Sequence, residues 1–159
     1  MGNMEQENEF EPPPCELESP ELPWKVDELL PSTVQAISPT VDNVMRSLKE
    51  NCCPPEEAFA VEMVIREALA NAVIHGNRQN PQKKVRVCCA CDPRRGILIV
   101  VKDQGTGFDS SQVLSPVRRQ QVHSEHGRGI YLIRSLTDDV QFRQGGSEIY
   151  IRKDFHQAR

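Results

Sequence analysis

REALANAVIHGN, residues 66–77, lays two patterns along one predicted helix. The first is apolar. At about 100° per residue, Val61, Ile65, Ala68, Leu69 and Ala72 fall on a single stripe, the kind a helix rests on a sheet. The second is polar. Glu67, Asn71 and His75 recur every fourth residue, the first two beside the stripe and His75 at its edge. They point neither fully outward nor into the core. A carboxylate and a carboxamide one turn apart suit a hydrated Mg²⁺ held by oxygen ligands. The carboxylate can instead accept a proton from a nucleophile. On this helix alone, a solvated flank accounts for the same residues. Glu56 and Glu57 suit the positive start of the helix, and Gly76 with Asn77 is its expected stop.

Upstream, Ser32 to Ile37 reads as a short first strand. Ser38-Pro39 then offers an N-cap and a proline at the first helical position. Val41, Val44, Met45 and Leu48 follow with the spacing of one buried helix face, and the run Cys52-Cys53-Pro54-Pro55 ends it. Downstream the period changes from helical to alternating. Lys84 to Cys91 places Val85, Val87, Cys89 and Cys91 on one face, and Ile97 to Val101 is a continuous apolar run. Asp92 to Gly96 is the turn that makes the pair a hairpin. Asp103 to Asp109 is a loop with glycines, and Ser110 to Glu125 is a polar excursion containing Arg118 and Arg119. His126 to Gly129 leads into a third helix with Ile130, Leu132, Ile133 and Leu136 apolar. Val140 to Arg143 and Glu148 to Arg152 form a last hairpin around Gly145-Gly146. The order predicts an α/β fold: a two-layer sandwich with a mixed, mostly antiparallel sheet covered on one face by about three helices.

The bulk numbers agree with one such domain. The chain has 159 residues, 38% apolar and 26% charged, enough to bury a core without staples. Residues 1–30 carry nine acidic side chains and one basic, with five prolines between 12 and 23. They are expected to be an acidic, disordered tail, because they bury too little to offset the entropy of ordering; residues 31–159 are expected to form the domain. That remainder carries fourteen acidic and eighteen basic side chains, too mild an excess to argue for direct nucleic-acid binding. No apolar run approaches the roughly 18–20 residues that span a bilayer, and the acidic start is unlike a secretory signal. The expectation is no membrane and a cytoplasmic location. Six cysteines, spaced CC and CCxC, lack the ligand spacing of a zinc site and are expected to be free, mostly buried thiols.

Two more stretches carry chemistry. Asp103-Gln104-Gly105-Thr106-Gly107-Phe108-Asp109 follows the apolar strand. Its glycines allow a backbone to approach a ligand closely, and an acidic side chain at a strand end can accept from an amino group. His126-Gly127-Arg128-Gly129-Ile130 opens a helix and can offer N–H groups to an anion. Each alone is also a plain loop or a flexible hinge. A P-loop is excluded, since GxxxxGK[ST] is missing, and GxGxxG is absent too.

Taken in this order, the three stretches resemble the Bergerat-fold ATPases, the superfamily of the gyrase, Hsp90, histidine-kinase and MutL nucleotide-binding domains. Glu67 to Ala72 with His75 resembles the N box, Asp103 to Asp109 the first glycine box, and Gly127 to Gly129 the second. The combination REALANAVIHGN, DQGTGFD and GRGIYLIRSLTDDV is most similar to the anti-sigma-factor serine/threonine-protein kinases, over roughly Ser32 to Lys153. The resemblance implies ATP and Mg²⁺ as cofactors. It implies Glu67 as the catalytic base, Asn71 as the Mg²⁺ ligand, and Asp103 as acceptor of the adenine amino group. Gly105, Gly107 and Phe108 would pass close to the base. His126, Gly127, Arg128, Gly129 and Ile130 would border the phosphates beneath a lid, Ser110 to Glu125. His75 stands where the family often has histidine. The implied partners are a sigma factor and an antagonist protein bearing the substrate serine, with a homodimer possible.

A binding module that holds ATP or ADP and a partner without transferring phosphate fits the same residues. A detached histidine-kinase module fits poorly, because His75, His123, His126 and His156 all lie within or after the N box. Gyrase-like and chaperone ATPases usually need a further transducer domain.

Overall fold

The structure, a computed structural model, describes residues 11–13, 15, 17, 21–105 and 125–156, with the backbone alone at 125–127. Its elements are β1 (Trp24–Pro31), α1 (Val34–Asn51), α2 (Pro55–Ala70), a π-helical turn (Asn71–Gly76), β2 (Lys84–Asp92), β3 (Gly96–Lys102), α3 (Glu125–Leu136), β4 (Asp139–Arg143) and β5 (Glu148–Asp154). The strands form one sheet in the order β1-β2-β3-β5-β4. Every neighbouring pair is antiparallel. The expected sandwich and both expected hairpins are present. The sheet is purely antiparallel among the described strands rather than mixed.

The first strand lies eight residues earlier than the sequence reading put it. Trp24–Pro31 pairs along its whole length with β2, from Trp24 opposite Cys91 to Pro31 opposite Lys84. Trp24, Val26 and Leu30 turn toward the helices, while Lys25 and Asp27 are exposed. This is period-two alternation, obscured by the acidic and proline-rich residues before it. As an edge strand it tolerates Pro31, which has no N–H to give a ladder. The expected boundary between tail and domain at residue 30 therefore falls inside a strand.

Residues 34–37, expected as strand, begin α1 instead. The helix runs through Pro39, which sits in its second turn. An interior proline loses one N–H bond and costs about 3 kcal/mol. Here Ile37, one turn before Val41, extends the buried stripe of Val41, Val44, Met45 and Leu48. The hydroxyl of Thr40 donates to the Ala36 carbonyl at 2.8 Å, giving that turn a side-chain bond.

The core lies between the sheet and the helices. Val85, Val87, Cys89 and Cys91 of β2, Ile97, Ile99 and Val101 of β3, and Ile149 and Ile151 of β5 meet the α1 and α2 stripes. All five apolar stripe residues expected on α2 and its extension are buried. Glu57 at the start of α2 is held by Lys153 of β5, with Nζ at 3.2 Å, and accepts from the His156 N–H at 3.2 Å. That pair fixes the angle at which α2 leaves the far end of the sheet.

The opposite face is covered as well. Leu17, Cys15 and Leu22 pack on Cys88, Ala90, Leu98, Val100 and Tyr150. Lys84 pairs with Glu11 at 2.9 Å, and Arg86 Nε donates to the Pro12 carbonyl at 3.0 Å. Disulfides join Cys15 to Cys88 and Cys52 to Cys91, leaving Cys53 and Cys89 free and buried. The expectation of six free thiols is thus corrected. Strand parity explains the pairing: Cys88 and Cys91, three apart on β2, point to opposite faces. Each meets a cysteine from a different segment. Among the described residues no helix is long and apolar enough to cross a membrane.

Candidate functional site

The polar row on the second helix ends in an irregularity. From Asn71 the backbone changes from α to π, and the Asn77 N–H donates to the carbonyl of Ala72, five residues back, at 2.8 Å. A π turn inside a helix is rare and marks a place where extra backbone is accommodated for a purpose. Its effect here is to break the row. Glu67 and Asn71 are half-buried, whereas His75 is exposed and stands outside the pocket wall.

The pocket opens beside this turn. It is an open cleft lined by Ala68, Asn71 and Ala72, by Val101 and Asp103, by Ile130 of α3, and by Phe142, Gly146, Ser147 and Ile149 of the last hairpin. The walls are apolar and the few polar groups converge, the usual make-up of a small-molecule site.

Asp103 is the principal polar group on its floor. Its N–H donates to the Ser147 carbonyl at 2.9 Å, and its Oδ1 accepts from the Gly105 N–H at 2.8 Å. Burial pushes its carboxyl up to about 6, against the Gly105 hydrogen bond and the charge of Lys83, which pull it down. A side chain at Gly76 would overlap the Asp103 carboxylate, and one at Gly105 would overlap the Gly76 carbonyl. Helix end and loop are therefore in backbone contact. Gly76 reads in sequence only as a helix stop; the π turn is what carries it to Asp103.

Glu67 and Asn71 face the start of α3. A Cβ on Gly129 would stand 3.0 Å from Glu67 Oε2 and 3.3 Å from both carboxamide atoms of Asn71. The Asn71 Nδ2 is buried without a hydrogen-bond partner, alone in this among the described side-chain atoms. A group in that state is costly unless a ligand completes it.

The structure thus brings together Glu67, Asn71, Asp103, Gly105, Gly129 and Ile130. Arg128 is exposed. Gly127 and Gly129 lie within α3, which begins at Glu125, rather than before it. Gly107 and Phe108 lie outside the described residues, as do the lid residues 110–124 and the side chain of His126. Phe142, Gly146 and Ser147 were not among the expected site residues. The Gly145-Gly146 pair signalled a turn, but nothing local ties that turn to Asp103, 42 positions earlier. Among the described residues no group of three or more His, Cys, Asp or Glu could hold a metal ion.

Comparison with known proteins gives a consistent picture. The model of the histidine kinase-like ATPase domain family matches residues 30–153. The chain is 26% identical over 109 residues to the Anti-sigma F factor of Oceanobacillus iheyensis, covering 65% of this chain and 74% of that protein. It is 29% identical over 103 residues to the Anti-sigma F factor of Heyndrickxia coagulans, covering 62% and 70%. It is 29% identical over 105 residues to that of Clostridium acetobutylicum, covering 63% and 72%.

Proposed function

The chain belongs to the histidine kinase-like ATPase domain family, and we propose that it is an ATP-binding anti-sigma factor that phosphorylates a serine or threonine of an antagonist protein. The observation that carries the nucleotide reading is Asp103, a half-buried carboxylate that lines an apolar cleft. It needs a donor from a flat, largely apolar partner, and the exocyclic amino group of adenine is one. Ala68, Ala72, Val101 and Ile130 supply walls for the base.

Asn71 tests whether Mg²⁺ fits. Its Oδ1 and the neighbouring Glu67 carboxylate are oxygen ligands of the hard kind the ion takes, while the buried, unpartnered Nδ2 can donate only to an acceptor such as a phosphate oxygen. Mg²⁺ keeps several waters and takes few protein ligands when phosphates supply the rest, so Asn71 alone is a sufficient protein contribution. When bound, the ion neutralises charge on the phosphates. Phosphoryl transfer then needs positioning more than covalent chemistry. In this reading Glu67 accepts the serine proton or orients the attacking oxygen. Gly127, Arg128 and Gly129 at the start of α3 border the phosphates. In the same reading Gly107, Phe108 and His126 complete the nucleotide contacts, and His75, which faces solvent, takes no part in transfer.

The names of the relatives support a sigma factor as the second partner. A cytoplasmic protein acting without direct nucleic-acid contact, and able to pair with a second copy, completes the reading. The test is transfer of labelled γ-phosphate from Mg-ATP to small antagonist proteins encoded near the gene. Transfer that disappears in Glu67→Gln supports the kinase. Tight nucleotide binding with no transfer to any candidate would turn the reading to a nucleotide-dependent binding module. No nucleotide binding at all would sink both.

A further inference from the structure

Asn77 is the residue after the π turn, and its burial is out of keeping with a helix stop. It is 1% exposed. Asparagine often ends helices because its backbone tolerates positive φ, but Asn77 has φ −88° and ψ −4°, open to most residues. Its side chain is what the structure uses. Nδ2 donates to Ser32 Oγ at 2.6 Å and to the Lys84 carbonyl at 2.9 Å, and Oδ1 accepts from the Gln104 N–H at 2.7 Å. One carboxamide joins the β1–α1 loop, the start of β2 and the loop after β3. Ser32 is itself fully buried, and its N–H donates to the Lys83 carbonyl at 3.1 Å. Gln104 is held a second time, since its Oε1 accepts from the Lys84 N–H at 2.8 Å.

Gln104 lies between the residue that lines the pocket and the one that holds it in place. On one side is Asp103; on the other is Gly105, whose N–H holds the Asp103 carboxylate at 2.8 Å. Fixing the Gln104 peptide fixes the direction of that carboxylate. We infer that Asn77 is a positioning residue for base selection: its carboxamide holds the Gln104 peptide so that Asp103 meets a purine's amino group and rejects a purine carbonyl. The inference rests on the nucleotide reading above. A site built to pair a polar group discriminates sharply against a ligand that leaves the group unpaired or opposed. That discrimination is lost when the group is free to turn.

The test measures ADP and GDP affinities of the full chain by calorimetry, with thermal melting of the same samples. Wild type should prefer ADP. Asn77→Ala, and Asn77→Leu of similar shape, both of which remove the acceptor of the Gln104 N–H, should shrink the ADP-to-GDP preference by roughly tenfold, the equivalent of one hydrogen bond's worth of discrimination. Ser32→Ala removes one partner of Nδ2 but leaves the bond to Gln104, so it should lower the melting temperature and keep the preference. A preference unchanged in a folded Asn77 variant overturns the inference and leaves the nucleotide reading standing. An equal loss in Ser32→Ala overturns it too, because the Gln104 bond is then not the cause. Wild type that binds neither nucleotide overturns the nucleotide reading and the inference with it.

Discussion

The carboxylate of Asp103 lies against the backbone of Gly76 so closely that a single methyl group placed there would overlap it. A helix end and a loop 27 residues later share one small space, and the side chain nearest to Gly76 in it is the Asp103 carboxylate that lines the pocket. Gly76→Ala should push that carboxylate off its position. Overpacking of this kind costs typically about 1–3 kcal/mol, so denaturant unfolding should show a loss in that range. Adenine-nucleotide affinity should fall by tenfold or more. A Gly76→Ala protein with full affinity would show that the carboxylate has another place to go.

Asp103 also makes a prediction about pH. Its folded pKa of about 6 stands above its ordinary 3.8, so the folded chain holds that proton more tightly than the unfolded one. Its contribution to stability is greatest below about pH 4, declines as pH rises to about 6, and is level beyond. Other groups titrate in the same window, so the quantity to measure is wild type minus Asp103→Asn. That difference should fall between pH 4 and 6. Nucleotide affinity should run the other way and rise toward pH 7, because an amino donor favours the ionised acceptor. Asp103→Asn should weaken adenine binding by roughly 1–3 kcal/mol at pH 7. An affinity independent of both the substitution and pH would remove Asp103 from base recognition.

Asn71 should separate stability from function. Its buried Nδ2 has no partner, and removing an unsatisfied buried group is neutral or stabilising. Asn71→Ala should therefore melt no lower than wild type within about 1 kcal/mol, after allowance for the small cavity left behind. Mg²⁺-dependent nucleotide binding should be lost. A large drop in stability would mean the carboxamide has a structural task instead.

The cysteines divide by accessibility. Burial pushes the Cys89 thiol up to about 12 and the Cys53 thiol up to about 11, the latter with help from the Glu57 charge. Thiolate is the reactive form, so neither should be alkylated at pH 8 in the folded, oxidised chain. Loss of a native disulfide typically costs about 2–5 kcal/mol. Cys15→Ser and Cys52→Ser should each lower stability by an amount in that range. Mass spectrometry after alkylation, with and without unfolding, counts the protected thiols. Rapid labelling of Cys89 in the folded chain would contradict its placement in the core.

Much of this fold was legible where one face alone had to be buried. The α1 and α2 stripes, the β2 alternation and the apolar run of β3 follow from period and composition, and they place Glu67, Asn71 and Asp103 on elements that converge. Three things were not legible. Trp24–Pro31 alternates, but its acidic neighbours mask a strand whose partner comes 53 positions or more later. Pro39 reads as a helix start because its local preference is strong, and only the burial of Ile37 overrides it. The role of Gly76 depends on a change of helical period that residue types do not announce. In each case a contact distant in sequence decides between local alternatives.

The π turn has a consequence for variation in chain length. Asn71–Gly76 carries one residue more per turn than an α-helix does. Deleting a single residue among Val73, Ile74 and His75 would let the segment relax to ordinary α spacing. Because the π turn holds one residue more than an α turn, the loss is offset by the change of period, and Gly76 and Asn77 would keep roughly their direction about the axis. A deletion between Glu67 and Asn71, in the regular α-helix, would instead turn them by about 100°; Asp103 would then face a side chain where it now meets bare backbone, and the Gln104 peptide would lose its acceptor. The register of this site is thus stored as a count of residues, and the π turn is the one stretch of this helix where a single deletion does little harm.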